Sequence, residues 1–91
     1  MKHLSLRVSG LVQGVGFRWS TVQVAMDCDV SGTVENLPDG SVQIEAEGEE
    51  MKLYTFLTKI RQSPSPFAKV KNVDYAFSDD LKNYKKFRVI G

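Results

Sequence analysis

A glycine-rich run and two polar side chains are the residues of this sequence best suited to chemistry. The run is Val8-Ser9-Gly10-Leu11-Val12-Gln13-Gly14-Val15-Gly16-Phe17-Arg18, with Gly14 and Gly16 separated by one residue. Glycine reaches backbone angles closed to other residues and lets a ligand come close to the main chain. A tight loop feeding the first turn of a helix aims several backbone N–H groups at one concavity, which suits an anion. Arg18, just inside that helix, adds a permanent positive charge and a planar fork of donors matched to phosphate. Residues Leu11, Val12, Gln13, Gly14, Val15 and Gly16 with Arg18 thus outline an oxyanion cradle. They outline equally a tight strand-to-helix turn with a solvated arginine, and glycine spacing alone does not separate the two. No Gly-Lys-Ser/Thr follows, so the run is not a nucleotide P-loop, and its spacing also departs from the dinucleotide fingerprint.

The second polar side chain is Asn36, which ends Val34-Glu35-Asn36 just before Leu37-Pro38-Asp39-Gly40. Its carboxamide offers an acceptor and two donors without charge. That suits orienting a water beside an anion, a positioning task and not a base's task. An asparagine that hydrogen-bonds the following turn fits the same position.

These residues need elements to hold them. His3 to Val8 alternate, with Leu4, Leu6 and Val8 on one face, which predicts a half-buried strand. The pattern turns helical from Phe17 to about Cys28, with Thr21, Val22, Ala25 and Met26 on the inner face. No glycine follows this helix, so Asp29 is expected to take the left-handed cap conformation, at some cost relative to glycine. Val30 to Asn36 and Ser41 to Glu47 read as two strands joined by the Pro-Asp-Gly turn. In the latter, Val42, Ile44 and Ala46 point inward and Gln43, Glu45 and Glu47 outward. Glu49 and Glu50 open a second helix, where acidic residues suit the dipole. Its apolar stripe is Leu53, Phe56, Leu57 and Ile60, and Ser63-Pro64-Ser65-Pro66 stops it. Val70, Val73, Tyr75 and Phe77 mark another strand, where the three-residue step from Val70 to Val73 predicts a bulge or a late start. Ser78 to Tyr84 forms a polar turn, and Lys86 to Ile90 a last short strand. This order predicts an α+β fold, the ferredoxin-like split β-α-β sandwich. It is βαββαβ plus a short C-terminal strand, with both helices on one face of a mostly antiparallel sheet. In that arrangement the second strand is expected near the loop that follows the first.

The chain has 91 residues, with 12 basic against 11 acidic side chains and a formal charge of +1. That predicts one domain over residues 1–91 and argues against a broad nucleic-acid footprint. One cysteine and one histidine leave no structural zinc pattern and no internal disulfide. No segment is long and apolar enough to span a bilayer, and the expected location is the cytoplasm.

The run from Gly10 to Arg18, followed by Gly32-x-Val-x-Asn36-Leu-Pro-Asp-Gly40, resembles the acylphosphatase family. The likeness covers essentially the whole chain, including Ala46-Glu47-Gly48. It implies hydrolysis of the carboxyl–phosphate bond of small acyl phosphates to carboxylate and inorganic phosphate, without metal or cofactor. By position, Arg18 matches the family's phosphate-binding arginine and Asn36 the asparagine that orients the attacking water. The backbone from Leu11 to Gly16 matches its phosphate loop. The proton of the water is then expected to go to the substrate's own phosphate. Thr33 stands where the family often has a bulky aromatic, and Cys28 and Asp29 where it often has leucine and glycine; these departures are expected to affect packing before chemistry.

The expected partners are small acyl phosphates and phosphate or sulfate anions, with no nucleic acid, no membrane and a monomeric state. A module that only binds phosphate would need the loop and Arg18 but not Asn36. RNA binding on the sheet would need exposed aromatics to stack bases, whereas the first strand offers Ser5 and Arg7 and the third Gln43, Glu45 and Glu47. Cys28 reads as a small core residue and His3 as a solvated strand start. Trp19, directly after Arg18, reads as a residue of the site mouth or, the preferred reading, as a partly buried surface aromatic. Lys82, Lys85, Lys86 and Arg88 read as edge-strand solubilisers, and Asp79 and Asp80 as a turn pair.

Overall fold

The computed structural model describes residues 1–91. Strand β1 (Lys2–Leu11) leads through the glycine loop to helix α1 (Phe17–Cys28). The hairpin β2 (Ser31–Asn36) and β3 (Val42–Gly48) is followed by α2 (Glu50–Arg61), β4 (Lys69–Ser78) and the short β5 (Phe87–Val89). The sheet order is β4-β1-β3-β2-β5. All pairs are antiparallel except β2 with β5. Strand β3 therefore stands between β1 and β2, so β2 does not border β1 as a strand; only its C-terminal end comes near the loop after β1.

The alternating residues form the core as expected. Leu4, Leu6, Val8, Val34, Val42, Ile44 and Ala46 are fully buried beneath the helices. Helix α2 buries Leu53, Phe56, Leu57 and Ile60. Each such side chain contributes about 1.5–3 kcal/mol on burial, which outweighs anything propensity offers a helix of 12 residues. Helix α1 buries Phe17, Thr21, Ala25 and Cys28. Met26, expected inside, is exposed; nine positions after Phe17, at 100° per residue, it points half a turn away from the core.

Two backbone expectations are met. Asp29 caps α1 in the left-handed region, at φ 57° and ψ 48°. The bulge lies on β4, where Asn72 pairs with Ser9 but Val70 with Gly10, leaving Lys71 as the extra residue. No helix is long and apolar enough to cross a membrane.

His3 corrects the expectation of a solvated strand start. It sits opposite Glu47 in the β1–β3 register and is only 6% exposed. Its Nδ1 lies 2.6 Å from Glu47 Oε2, and its Nε2 2.6 Å from Glu45 Oε1. Glu47 points away from the helices, as alternation requires, yet the segment from Lys82 to Tyr84 covers it. It accepts from the backbone N–H groups of Lys82 and Asn83 at 2.5 and 2.9 Å.

Candidate active site

The loop that joins β1 to α1 begins at Val12, because Leu11 is the last residue of β1 and pairs with Lys69. Val12 turns its side chain into the core. Gly14 and Gly16 hold φ of 73° and 76°, angles that L side chains adopt only under strain. Gly16 is the N-cap of α1, so no side chain caps the helix, and its first turn carries no acid. As a result the backbone N–H groups from Gln13 to Trp19 meet no acceptor in the protein; the first to do so is Ser20, 3.1 Å from Gly16 O. An uncapped helix start with its partial positive charge is suited to an anion.

Two side chains hold this loop from outside. Ser65, almost fully buried, donates its hydroxyl to Val15 O at 2.6 Å. Gln13 donates from Nε2 to Leu37 O at 2.8 Å and Ser41 O at 2.9 Å. In the sequence Ser65 reads only as part of a helix stop. Nothing in its spacing could reveal a bond to a residue 50 positions away.

Arg18 and the backbone of Asn36 meet at Gly91, whereas the Asn36 side chain is not among those that line the Arg18 cavity. The Arg18 Nη1 donates to Gly91 O at 2.5 Å, and the Asn36 backbone N–H donates to the same oxygen at 3.1 Å. This segment prolongs the β5 pairing, with Ile90 N bonded to Val34 O. The guanidinium is thereby held at the end of β2.

Asn36 does not close the turn that follows it. That turn is closed by Asp39, whose Oδ1 accepts from Ser41 N at 3.0 Å and from Ser41 Oγ at 2.5 Å. These hydrogen bonds keep the Asp39 carboxyl below its ordinary pKa. The Oδ1 of Asn36 is the one buried side-chain polar atom without a hydrogen-bond partner. An acceptor left so costs about 1–3 kcal/mol unless a donor meets it.

A cavity of about 280 Å³ opens beside the loop, lined by Gly14, Gly16, Arg18 and Trp19 with Val12, Phe17 and Val89. Its only charged residue is Arg18. Trp19, 68% exposed, lies at this cavity and not partly buried in the surface as expected. A larger cavity, about 480 Å³, lies at the other end of the sheet. There Lys52, Lys85 and Lys86 face Asp29, Glu47 and Glu49, with Lys52 paired to Asp29 at 2.7 Å, so cation and anion answer each other. A third cavity, about 340 Å³, is more basic, lined by Lys82, Lys85, Lys86 and Arg88, so charge alone does not single out the Arg18 cavity. What sets that one apart is the uncapped start of α1 with its unpaired backbone donors.

The remaining candidates fall away from this site. Cys28 is buried, which pushes its thiol pKa up. Asp79 and Asp80 pair with Lys2 and Lys82. The segment from Lys82 to Lys86 lies at the far end of β2, where Gly32 N bonds Lys86 O.

The acylphosphatase family matches residues 4–89 of the chain. An acylphosphatase of Lactobacillus gasseri is 48% identical over 90 residues, covering 99% of both chains. An acylphosphatase of Archaeoglobus fulgidus is 45% identical over 86 residues, 94% of both. The crystal structure of acylphosphatase from Bacillus subtilis covers 100% of both chains with a TM-score of 0.96 at 35% identity. Architecture and similarity thus agree on the class, an α+β sandwich enzyme. The chain belongs to the acylphosphatase family.

Proposed function

We propose that residues 1–91 act as one domain that hydrolyses the carboxyl–phosphate bond of small acyl phosphates. Arg18 and the loop from Leu11 to Gly16 hold the phosphoryl group, and Asn36 orients the water. Family membership supports the reaction. The observation that supports the roles is a set of free backbone donors from Gln13 to Trp19 beside the Arg18 cavity, with an unpaired acceptor on Asn36, a residue whose backbone meets Arg18 at Gly91 O. A phosphoryl group answers the first and a water proton the second.

The reaction leaves the protein little covalent work. Transferring a phosphoryl group depends mainly on placement and on stabilising charge over its oxygens. Water attacks phosphorus in line with the acyl oxygen, and the P–O bond to that oxygen breaks. The carboxylate leaves with the electron pair, and the water proton passes to a phosphoryl oxygen. Arg18 and the loop donors stabilise the charge that builds up there. No His, Cys, Asp or Glu lines the cavity, and in this reading the substrate's own phosphate takes the proton.

The test is hydrolysis of acetyl phosphate by purified protein in excess chelator, beside Arg18→Ala. Wild type turns over, and the variant loses about 10³-fold or more in kcat/KM with its circular dichroism unchanged. A folded variant near wild-type rate would remove Arg18 from the mechanism. No turnover in wild type that still binds phosphate would make the chain a phosphate-binding module.

A further inference from the structure

The Gln13 side chain joins two segments that the sheet keeps apart. Its loop follows β1, whereas Leu37 follows β2, and β3 stands between those strands. Both of its amide protons are used, one on Leu37 O and one on Ser41 O. These two carbonyls also close the hairpin turn, accepting from Gly40 N at 3.1 Å and Leu37 N at 2.8 Å. Gln13 therefore grips the rim of the turn, one residue beyond Asn36.

We propose that Gln13 is a positioning residue, whose carboxamide sets the distance between the phosphate cradle and Asn36. The proposal rests on the reading above, in which the cradle holds phosphate and Asn36 holds water. The grip calls for a neutral group with two protons on one nitrogen, because its partners are two carbonyls. An ionised carboxylate there would face both with lone pairs, and a thioether would offer them nothing. Without the grip, the loop donors and Arg18 can still bind phosphate, but the water is no longer held at a fixed place against it. Misplacement by about 1 Å is enough to lose roughly 10²-fold in rate.

Steady-state kinetics on acetyl phosphate, with inorganic phosphate as competitor, test this in Gln13→Met and Gln13→Glu. Both variants are expected to lose about 10- to 100-fold in kcat, while the inhibition constant of phosphate in Gln13→Met stays within about threefold. The ratio of Gln13→Glu to wild-type kcat is expected to climb as pH falls from 7 to 5, since a protonated carboxyl regains one donor; the Gln13→Met ratio stays flat. A folded Gln13→Met with wild-type kcat would overturn the proposal. So would equal loss of kcat and phosphate affinity, which would make Gln13 part of the cradle itself, or parallel pH profiles for the two variants. Failure of the underlying reading shows separately, as hydrolysis that survives Arg18→Ala.

Discussion

The two ends of the sheet hold polar groups in opposite states. At the end where β1 finishes, donors from Gln13 to Trp19 and the Asn36 oxygen find no partners in the protein. At the other end His3 uses both ring nitrogens, and Glu47 accepts from His3, Lys82 and Asn83. Burial alone would disfavour the charged forms of both His3 and Glu47. The surrounding hydrogen bonds outweigh it, raising the His3 pKa and lowering that of Glu47. A satisfied cluster of this kind holds the segment from Lys82 to Tyr84 on the sheet. An unsatisfied one is free to receive a ligand. Polar residues at one end thus contribute to stability, and those at the other are kept open at a cost to it.

Asn36→Ala would break that comparison most sharply. It is expected to lower kcat by about 10²–10³-fold while phosphate affinity changes less than about threefold. Stability should hold or rise, because the substitution removes an unmet buried acceptor. Calorimetric phosphate titration beside kinetics checks it, and parallel loss of both would make Asn36 a phosphate ligand.

Glu47→Ala should do the reverse. It leaves His3 and the backbone donors of Lys82 and Asn83 without their carboxylate, and removing one partner of a buried pair costs about 3–5 kcal/mol. Urea unfolding should show that loss, while kcat of the folded fraction stays within about twofold. A drop in kcat at full folding would tie this end to the chemistry.

The same end predicts a pH dependence. A His3 pKa raised above its ordinary 6.5 contributes stability in full below that value and loses it as pH rises through the folded-state pKa. Glu47, lowered from 4.5, contributes above that value and loses it as pH falls through its own. The cluster is thus at its strongest between about 4.5 and 6.5. The stability difference between wild type and His3→Gln should shrink from pH 6 to pH 9. A difference that grows over that range would refute the ion-paired state of His3.

What the sequence disclosed tracks the range of each interaction. Leu4, Leu6 and Val8 declared their face through a period of two, and the step from Val70 to Val73 disclosed the bulge at Lys71. Both signals are local. Arg18 and Asn36 could be singled out as candidates because the motifs around them are local too. The His3–Glu47 pair needed the β1–β3 register, which neither strand shows alone. The bonds from Gln13 to Leu37 and Ser41 join segments on either side of β3 in the sheet, and Ser65 reaches Val15 over 50 positions of chain. These contacts hold the site in place without forming it, and they arise from topology. Met26 was misplaced for a different reason: α1 has only a weak stripe, and a one-position error in phase turns an apolar residue outward.

The smallest effect lies at the end of α1, near the satisfied pole. Asp29 there is a non-glycine residue in the left-handed region, and its backbone N–H closes the helix on Met26 O at 3.2 Å. Its carboxylate sits at a helix C-terminus, where the dipole disfavours negative charge. Lys52 answers that charge at 2.7 Å, but both side chains are exposed, and such a pair adds little. Asp29→Gly removes the backbone strain and the ill-placed charge while losing only the surface pair. It is expected to raise Tm by roughly 2–5 °C with kcat unchanged, since Arg18 and Asn36 lie at the opposite end. A scanning-calorimetry trace with lowered Tm would mean that the pair with Lys52 ties α1 to α2 more firmly than the left-handed cap strains the chain. The satisfied end would then owe part of its strength to its surface charges.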